Sequence, residues 1–87
     1  MELRDIEYFA VVAEHGHVGR AAGSLEMSQS ALSKSLRRIE RSIGAKIVQR
    51  TPKGVELTAT GSALLSHVRR LQLARDDVVR EVADLNK

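Results

Sequence analysis

The sequence has no cysteine, no tryptophan, a single proline and only two aromatic residues, Tyr8 and Phe9. Without thiols there can be neither a disulfide framework nor a thiolate metal site. With so few rings, the core must be built from Leu, Ile, Val and Ala. Long apolar runs are missing as well. The longest, around residues 6–13, contains Glu7 and falls far short of the roughly 20 residues a membrane helix needs. No basic segment followed by an apolar run and cleavage site stands at the N-terminus, so a cytoplasmic location with no membrane attachment is expected. Internal repeats and low-complexity linkers are absent too. At 87 residues the chain makes one small unit. Such a chain buries only about 60–65% of the surface its unfolded form exposes, so the core is thin.

What is present is positive charge, unevenly placed. Residues 1–27 hold two basic and five acidic residues, a net −3. Residues 28–53 hold seven basic residues (Lys34, Arg37, Arg38, Arg41, Lys46, Arg50 and Lys53) against Glu40 alone, a net +6. Residues 54–87 balance at five of each sign. A localised basic surface releases the counterions condensed on phosphate, so nucleic acid is the first partner to consider. A solvated basic face with no partner is the alternative. Glu40 is expected to pair with a nearby cation such as Arg50.

The apolar spacing is mostly helical. Leu3, Ile6, Phe9, Ala10 and Ala13 form one stripe, and Gly16 follows as a C-cap. Residues 18–26 read as a short second helix with Ala21, Ala22 and Leu25 inward; Gly19 and Gly23 weaken it locally, so it must depend on packing. Ser28 is a good N-cap for a third helix running from Gln29 to about Ile43 and closed by Gly44. On that helix Leu32, Leu36, Ile39 and Ile43 fall within a sector of about 60°, with Ser30, Ser33, Lys34, Arg37 and Arg41 on the far side. Residues 46–50 (KIVQR), the turn TPKG and residues 55–57 form a two-stranded hairpin that must pack on the helices to be stable.

Thr58 caps a last helix of some 28 residues, about 40 Å long. Positions 61, 64, 68, 71, 75, 78, 82 and 85 alternate by three and four and read Gly, Leu, Val, Leu, Arg, Val, Val, Leu. That is a heptad seam with a polar break at Arg75, and it predicts a partner helix, most simply from a second copy. Intramolecular burial of the same seam is the alternative.

Residues 21–44, A-A-x-x-L-x-x-S-Q-S-A-L-S-K-x-L-x-x-I-E-x-x-I-G, resemble the winged helix-turn-helix of the LysR-type transcriptional regulators. The likeness extends to the opening L-R-D-I-E-Y-F, to I-V-x-R at residues 47–50, to the T-P-K-G wing and to L-T-x-x-G at residues 57–61, and so covers essentially the whole chain. The resemblance implies a mainly α fold: a winged helix-turn-helix over residues 1–58, with the helix-turn-helix itself at about 18–37, and a linker and dimerisation helix over 59–87. It also implies a C-terminal effector-binding domain that these 87 residues do not contain, so the chain reads as the DNA-binding part of a longer bacterial regulator. Departures from the family pattern occur at Val48 (usually Phe), Ser30 (commonly Pro), Lys34 and Lys53 (often Arg), and at His17 and Gly19, where hydroxyl-bearing residues are usual.

Wheel and resemblance together assign roles. Gln29, Ser30, Ser33 and Lys34 are expected at base edges in the major groove. Ser28, Arg37, Arg38 and Arg41 are expected at phosphates, with Arg50, Thr51 and Lys53 of the wing at the neighbouring minor groove or its backbone. Leu64, Val68, Leu71, Val78, Val82 and Leu85 are the dimerisation residues. The expected partners are double-stranded DNA and a second copy, with a tetramer for the full-length parent and a small-molecule effector only through the domain outside this chain. No cofactor, metal or catalytic residue is expected: the serines lack a nucleophile elbow and a His–acid pair, and His15 and His17, two apart, do not share a helix face. The rival to a sequence-reading module is an architectural or protein-binding winged helix that uses its basic face without reading sequence.

Overall fold

A computed structural model describes all 87 residues. The elements are α1 (Leu3–His15), α2 (Val18–Ser24), α3 (Gln29–Ile43), β1 (Val48–Thr51), β2 (Gly54–Leu57) and α4 (Ala59–Leu85). The mainly α architecture with a two-stranded wing is the one expected. Gly16 and Gly44 end α1 and α3 in left-handed backbone, and Ser28 and Thr58 cap α3 and α4 by accepting the N–H groups of Ala31 and Gly61, each at 3.0 Å. α2 stops at Ser24, two residues before the expected end, and Glu26 in the following turn has φ 56°. A left-handed backbone on a residue with a Cβ costs about 1–2 kcal/mol, so this turn is held by the packing on either side of it. At the other end of α2 the missing hydroxyl cap is replaced: His17 Nδ1 accepts the N–H of Arg20 at 3.2 Å.

Phe9, Val12, Val18, Ala21, Ala22, Leu32, Leu36, Ile39, Ile47 and Val68 form the core, aliphatic apart from one ring. Ala21 and Ala22 let α2 lie close to its neighbours. The core-facing side of α1 differs from the expected stripe. Asp5, Phe9 and Val12 are fully buried, whereas Leu3 is 70% exposed. α1 has two apolar sides, one toward α2 and α3 and the other, with Leu3 and Ile6, along α4; a single-stripe reading merged them.

The wing is an antiparallel hairpin in which Val48 pairs with Leu57, Arg50 with Val55 and Thr51 with Gly54, leaving Pro52 and Lys53 at the tip. Lys46 and Ile47, expected in the first strand, lie before it. Ile47 instead drops its side chain into the core, and its N–H donates to Glu40 Oε2 at 2.9 Å. The hairpin is tied down at both ends. Val55 N–H donates to Gly16 O at 3.0 Å, and Thr58 donates its N–H to Ile47 O at 3.1 Å and its hydroxyl to Lys46 O at 2.6 Å. Gly61, in the first turn of α4, lies against the same strand entry: a Cβ there would stand 2.0 Å from Ile47 O. Gly61 is therefore a close-approach residue and not part of a seam.

Candidate nucleic-acid interface

α3 turns its apolar side inward with Leu32, Leu36 and Ile39 buried, and this forces Gln29, Ser30, Lys34, Arg37 and Arg41 outward. Ser33 is half-buried at the edge of that face. The wing folds back beside it. Ser33 and Arg37 of α3 share one groove with Lys46, Val48 and Arg50, and Gln29 shares a second with His17, Thr51 and Lys53. Of the expected base-edge residues, Gln29 and Ser33 thus share grooves with the wing, whereas Ser30 and Lys34 stand exposed on α3 outside both.

Charge pairing separates the cations of this region into two groups. Lys34, Arg37, Arg41, Arg50 and Lys53 form no ion pair within the chain. Lys46 lies 3.8 Å from Glu40, which therefore pairs with Lys46 and not with Arg50 as expected. Arg38, expected at a phosphate, differs from those five in being paired: its Nε and Nη2 donate to Asp5 at 3.2 and 2.9 Å, on the α1 side of α3. The sequence reading missed Asp5 altogether. Its carboxylate also accepts the Ser35 hydroxyl at 2.7 Å and the Glu2 N–H at 3.0 Å. The Arg38 hydrogen bonds hold this carboxyl well below the usual carboxylate range; burial opposes them, and the bonds from Ser35 and Glu2 add to them. A signal was available: Asp5 stands at i, i+4, i+7 with Phe9 and Val12, and Ser35 flanks the apolar positions of α3.

The expected dimerisation residues also divide. Val68 is 1% exposed and belongs to the core, so it is withdrawn from the seam, and Leu64 is half-buried against the same cluster. Leu71, Val78, Val82 and Leu85 are 49–84% exposed. Leu71 and Val78, with Leu3, Ile6 and Ala74, line an apolar groove of about 270 Å³ between α1 and α4. Arg75, the polar break, donates to Glu7 of α1 at 2.8 Å in the same groove. No helix is long and apolar enough to cross a membrane, and no three His, Cys, Asp or Glu side chains cluster as metal ligands.

The family model described as the lysR family of bacterial regulatory helix-turn-helix proteins matches residues 3–62. This chain belongs to the LysR family. Among curated relatives, the HTH-type transcriptional regulator TfdT of Cupriavidus pinatubonensis is 46% identical over 71 residues, which is 82% of this chain and 31% of that protein. The SDS degradation transcriptional activation protein of a Pseudomonas strain is 44% identical over 70 residues, 80% of this chain and 23% of that protein. The LysR-family chain thus spans roughly a quarter to a third of the length of such relatives. Among solved structures, that of the CbnR DNA-binding domain–DNA complex matches with a TM-score of 0.85 and 37% identity, covering 98% of this chain and 99% of that one. The complex of the BenM DNA-binding domain with catB site 1 DNA matches with a TM-score of 0.92 and 26% identity over 100% of this chain and 98% of that one. Both matches run over this LysR-family chain's winged helix-turn-helix and its long final helix alike.

Proposed function

We propose that this chain is the DNA-binding module of a bacterial LysR-type transcriptional regulator, acting in the cytoplasm as a homodimer that reads an interrupted inverted repeat in double-stranded DNA. The observation that carries the reading is the set of five unpaired cations around the outward side of α3 and the wing, with Gln29 and Ser30 exposed among them. The solved DNA complexes of the CbnR and BenM domains, alike in fold over nearly the whole chain, support it. α3 enters the major groove and α2 lies across the backbone. Gln29 pairs with adenine, Lys34 donates to guanine O6 or N7, and Ser30 and Ser33 meet neighbouring base edges. Arg37, Arg41 and the Ser28 hydroxyl meet phosphates and set the register. Arg50, Thr51 and Lys53 reach the adjoining minor groove or its backbone.

The second copy covers the exposed part of the α4 seam. A two-fold pairing brings Val78, Val82 and Leu85 of one α4 against the Leu3–Ile6–Leu71 side of the other and presents two α3 helices to one face of the duplex. Half-sites then fall a whole number of helical turns apart. Effector binding and any tetramer belong to a domain outside these residues. No catalysis is assigned: the Ser28 hydroxyl caps α3 and that of Ser35 is bonded to Asp5.

Selection from a pool of randomised duplexes tests the reading. Enrichment of one interrupted inverted repeat, bound with an affinity that falls steeply with salt, is the expected result. Equal affinity for every duplex would make this an architectural binder and overturn the sequence-reading role.

A further inference from the structure

The outward face of α3 can read bases only if the helix is held at one rotation about its own axis. Leu32, Leu36 and Ile39 anchor the helix by close packing, and directional bonds add the finer angular restraint that a non-directional attraction does not supply. A roll of about 10° moves side-chain tips, roughly 5–6 Å from the axis, by on the order of 1 Å. That exceeds the spread of about 0.5 Å over which a hydrogen bond keeps its length. Directional bonds from α3 side chains to the rest of the fold occur at two places. At the C-terminal end Glu40 accepts the Ile47 N–H at 2.9 Å. At mid-helix Asp5, on α1 and fully buried, accepts from Ser35 at 2.7 Å and from Arg38 at 2.9 and 3.2 Å. Ser35 and Arg38 are one turn apart on the same side of α3, so a single carboxylate grips the helix at two successive turns. Its other close bond, from Glu2 N–H at 3.0 Å, fastens the carboxylate to the first turn of α1.

We infer that Asp5 is a specificity-determining positioning residue: by holding Ser35 and Arg38 it sets the rotation of the recognition helix, and it keeps the Arg38 guanidinium away from the phosphates. Both effects favour a chosen sequence over random DNA. The first aligns Gln29, Ser33 and Lys34 with base edges. The second removes one cation that would raise affinity for any duplex alike. The inference rests on the DNA-reading role proposed above.

The experiment compares the wild-type chain with Arg38→Met and Asp5→Asn. Each is titrated, over a range of salt, with the duplex that wild type enriches from a randomised pool and with a random-sequence duplex. Arg38→Met leaves the buried Asp5 carboxylate to Ser35 and the Glu2 N–H alone, so it is the less stable of the two variants and its folded fraction is measured first by thermal melting. It is expected to lose about tenfold of the preference for the selected duplex, the worth of one well-made base contact. Its salt slope on random DNA stays at the wild-type value, because Arg38 makes no phosphate contact to lose. Asp5→Asn is expected to lose a similar share of the preference while its salt slope steepens by about 0.9, because Arg38 is released to one phosphate. Simple loss of stability lowers the active fraction for both duplexes equally and leaves the ratio unmoved. An unchanged ratio in Arg38→Met, or a slope shallower by about 0.9 there, would overturn the inference, since the latter would make Arg38 an ordinary phosphate clamp. A wild-type chain with no preference for any duplex would instead remove the sequence-reading role itself.

Discussion

α3 and α4 are both amphipathic, yet their apolar sides meet different fates. α3 has 15 residues, and its own chain covers most of its inner side: Leu32, Leu36 and Ile39 are buried under α1, α2 and the strand entry, and of the expected apolar sector Ile43 alone, at the C-terminal end, is 39% exposed. α4 has 27 residues, but only Gly61 and Val68 are buried, and from Leu71 onward its large aliphatic side chains are about half exposed or more. Burying one such side chain contributes about 1.5–3 kcal/mol, so an exposed row of them is a surface waiting to be covered. A helical stripe therefore says that a helix buries one side. Whether its own domain or another copy covers that side depends on how far the rest of the chain reaches. Here α1 reaches along α4 no further than Val78, which lines the groove with Leu3, and the α4 residues beyond it are exposed at one end of a chain whose longest dimension is 51 Å.

The exposed half of α4 is where the two helices should differ most under substitution. Leu71→Asp is expected to give monomers in sedimentation and, through loss of the second half-site, to weaken binding to a two-half-site duplex about a thousandfold. A tight dimer for that variant would mean that α4, like α3, is served by its own chain. Next in size is Gly61→Ala, which forces a Cβ into the Ile47 carbonyl at the root of α4. It is expected to destabilise the fold by about 3 kcal/mol, seen as a fall of about 12–24 °C in melting temperature.

The polar anchor of α3 comes third. Asp5→Asn is expected to cost about 2 kcal/mol at pH 7, below the usual loss for a broken buried pair because Arg38 can turn to solvent. The folded carboxyl is depressed, so its contribution is full above the unfolded value, near about 3.9, and is lost as pH falls toward the lower folded value. Melts of both proteins from pH 7 to pH 2.5 should show the gap closing only below about pH 4. A gap constant with pH would detach Asp5 from Arg38. The smallest effects lie on the outer side of α3. Lys34→Ala is expected to relax base choice at one position by about tenfold, whereas Arg37→Ala should weaken all duplexes alike and make the salt slope shallower by about 0.9. Unchanged base preferences for Lys34→Ala in a selection experiment would strike Lys34 from the readers.

Much of the fold is legible along the chain because its signals are local. Ser28 and Thr58 cap the helices they precede, Gly16 and Gly44 close the helices they follow, and the 32–36–39 spacing orients α3 without any long-range information. The candidate reading residues follow from that orientation. What escaped the sequence depends on partners distant along the chain. Asp5 meets Ser35 and Arg38 across 30 and 33 positions, and a carboxylate in the first turn of a helix reads more simply as a helix-end residue than as the anchor of another helix. Glu40 chose Lys46 and the Ile47 N–H over Arg50 because the strand begins two residues later than its composition suggests.

Read along the chain alone, the sequence tells which segments are helical, which side of α3 is apolar, where the positive charge concentrates, and the family likeness that the matched residues carry. Periodicity, capping and charge are properties of neighbours in the chain. The tertiary structure decided that Val68 is core while Leu71 is surface, that Gly61 makes room for a carbonyl, and that Arg38 pairs with a buried acid. Each of those outcomes turns on the distance between elements far apart in sequence, set by how α1, the wing and α4 pack together.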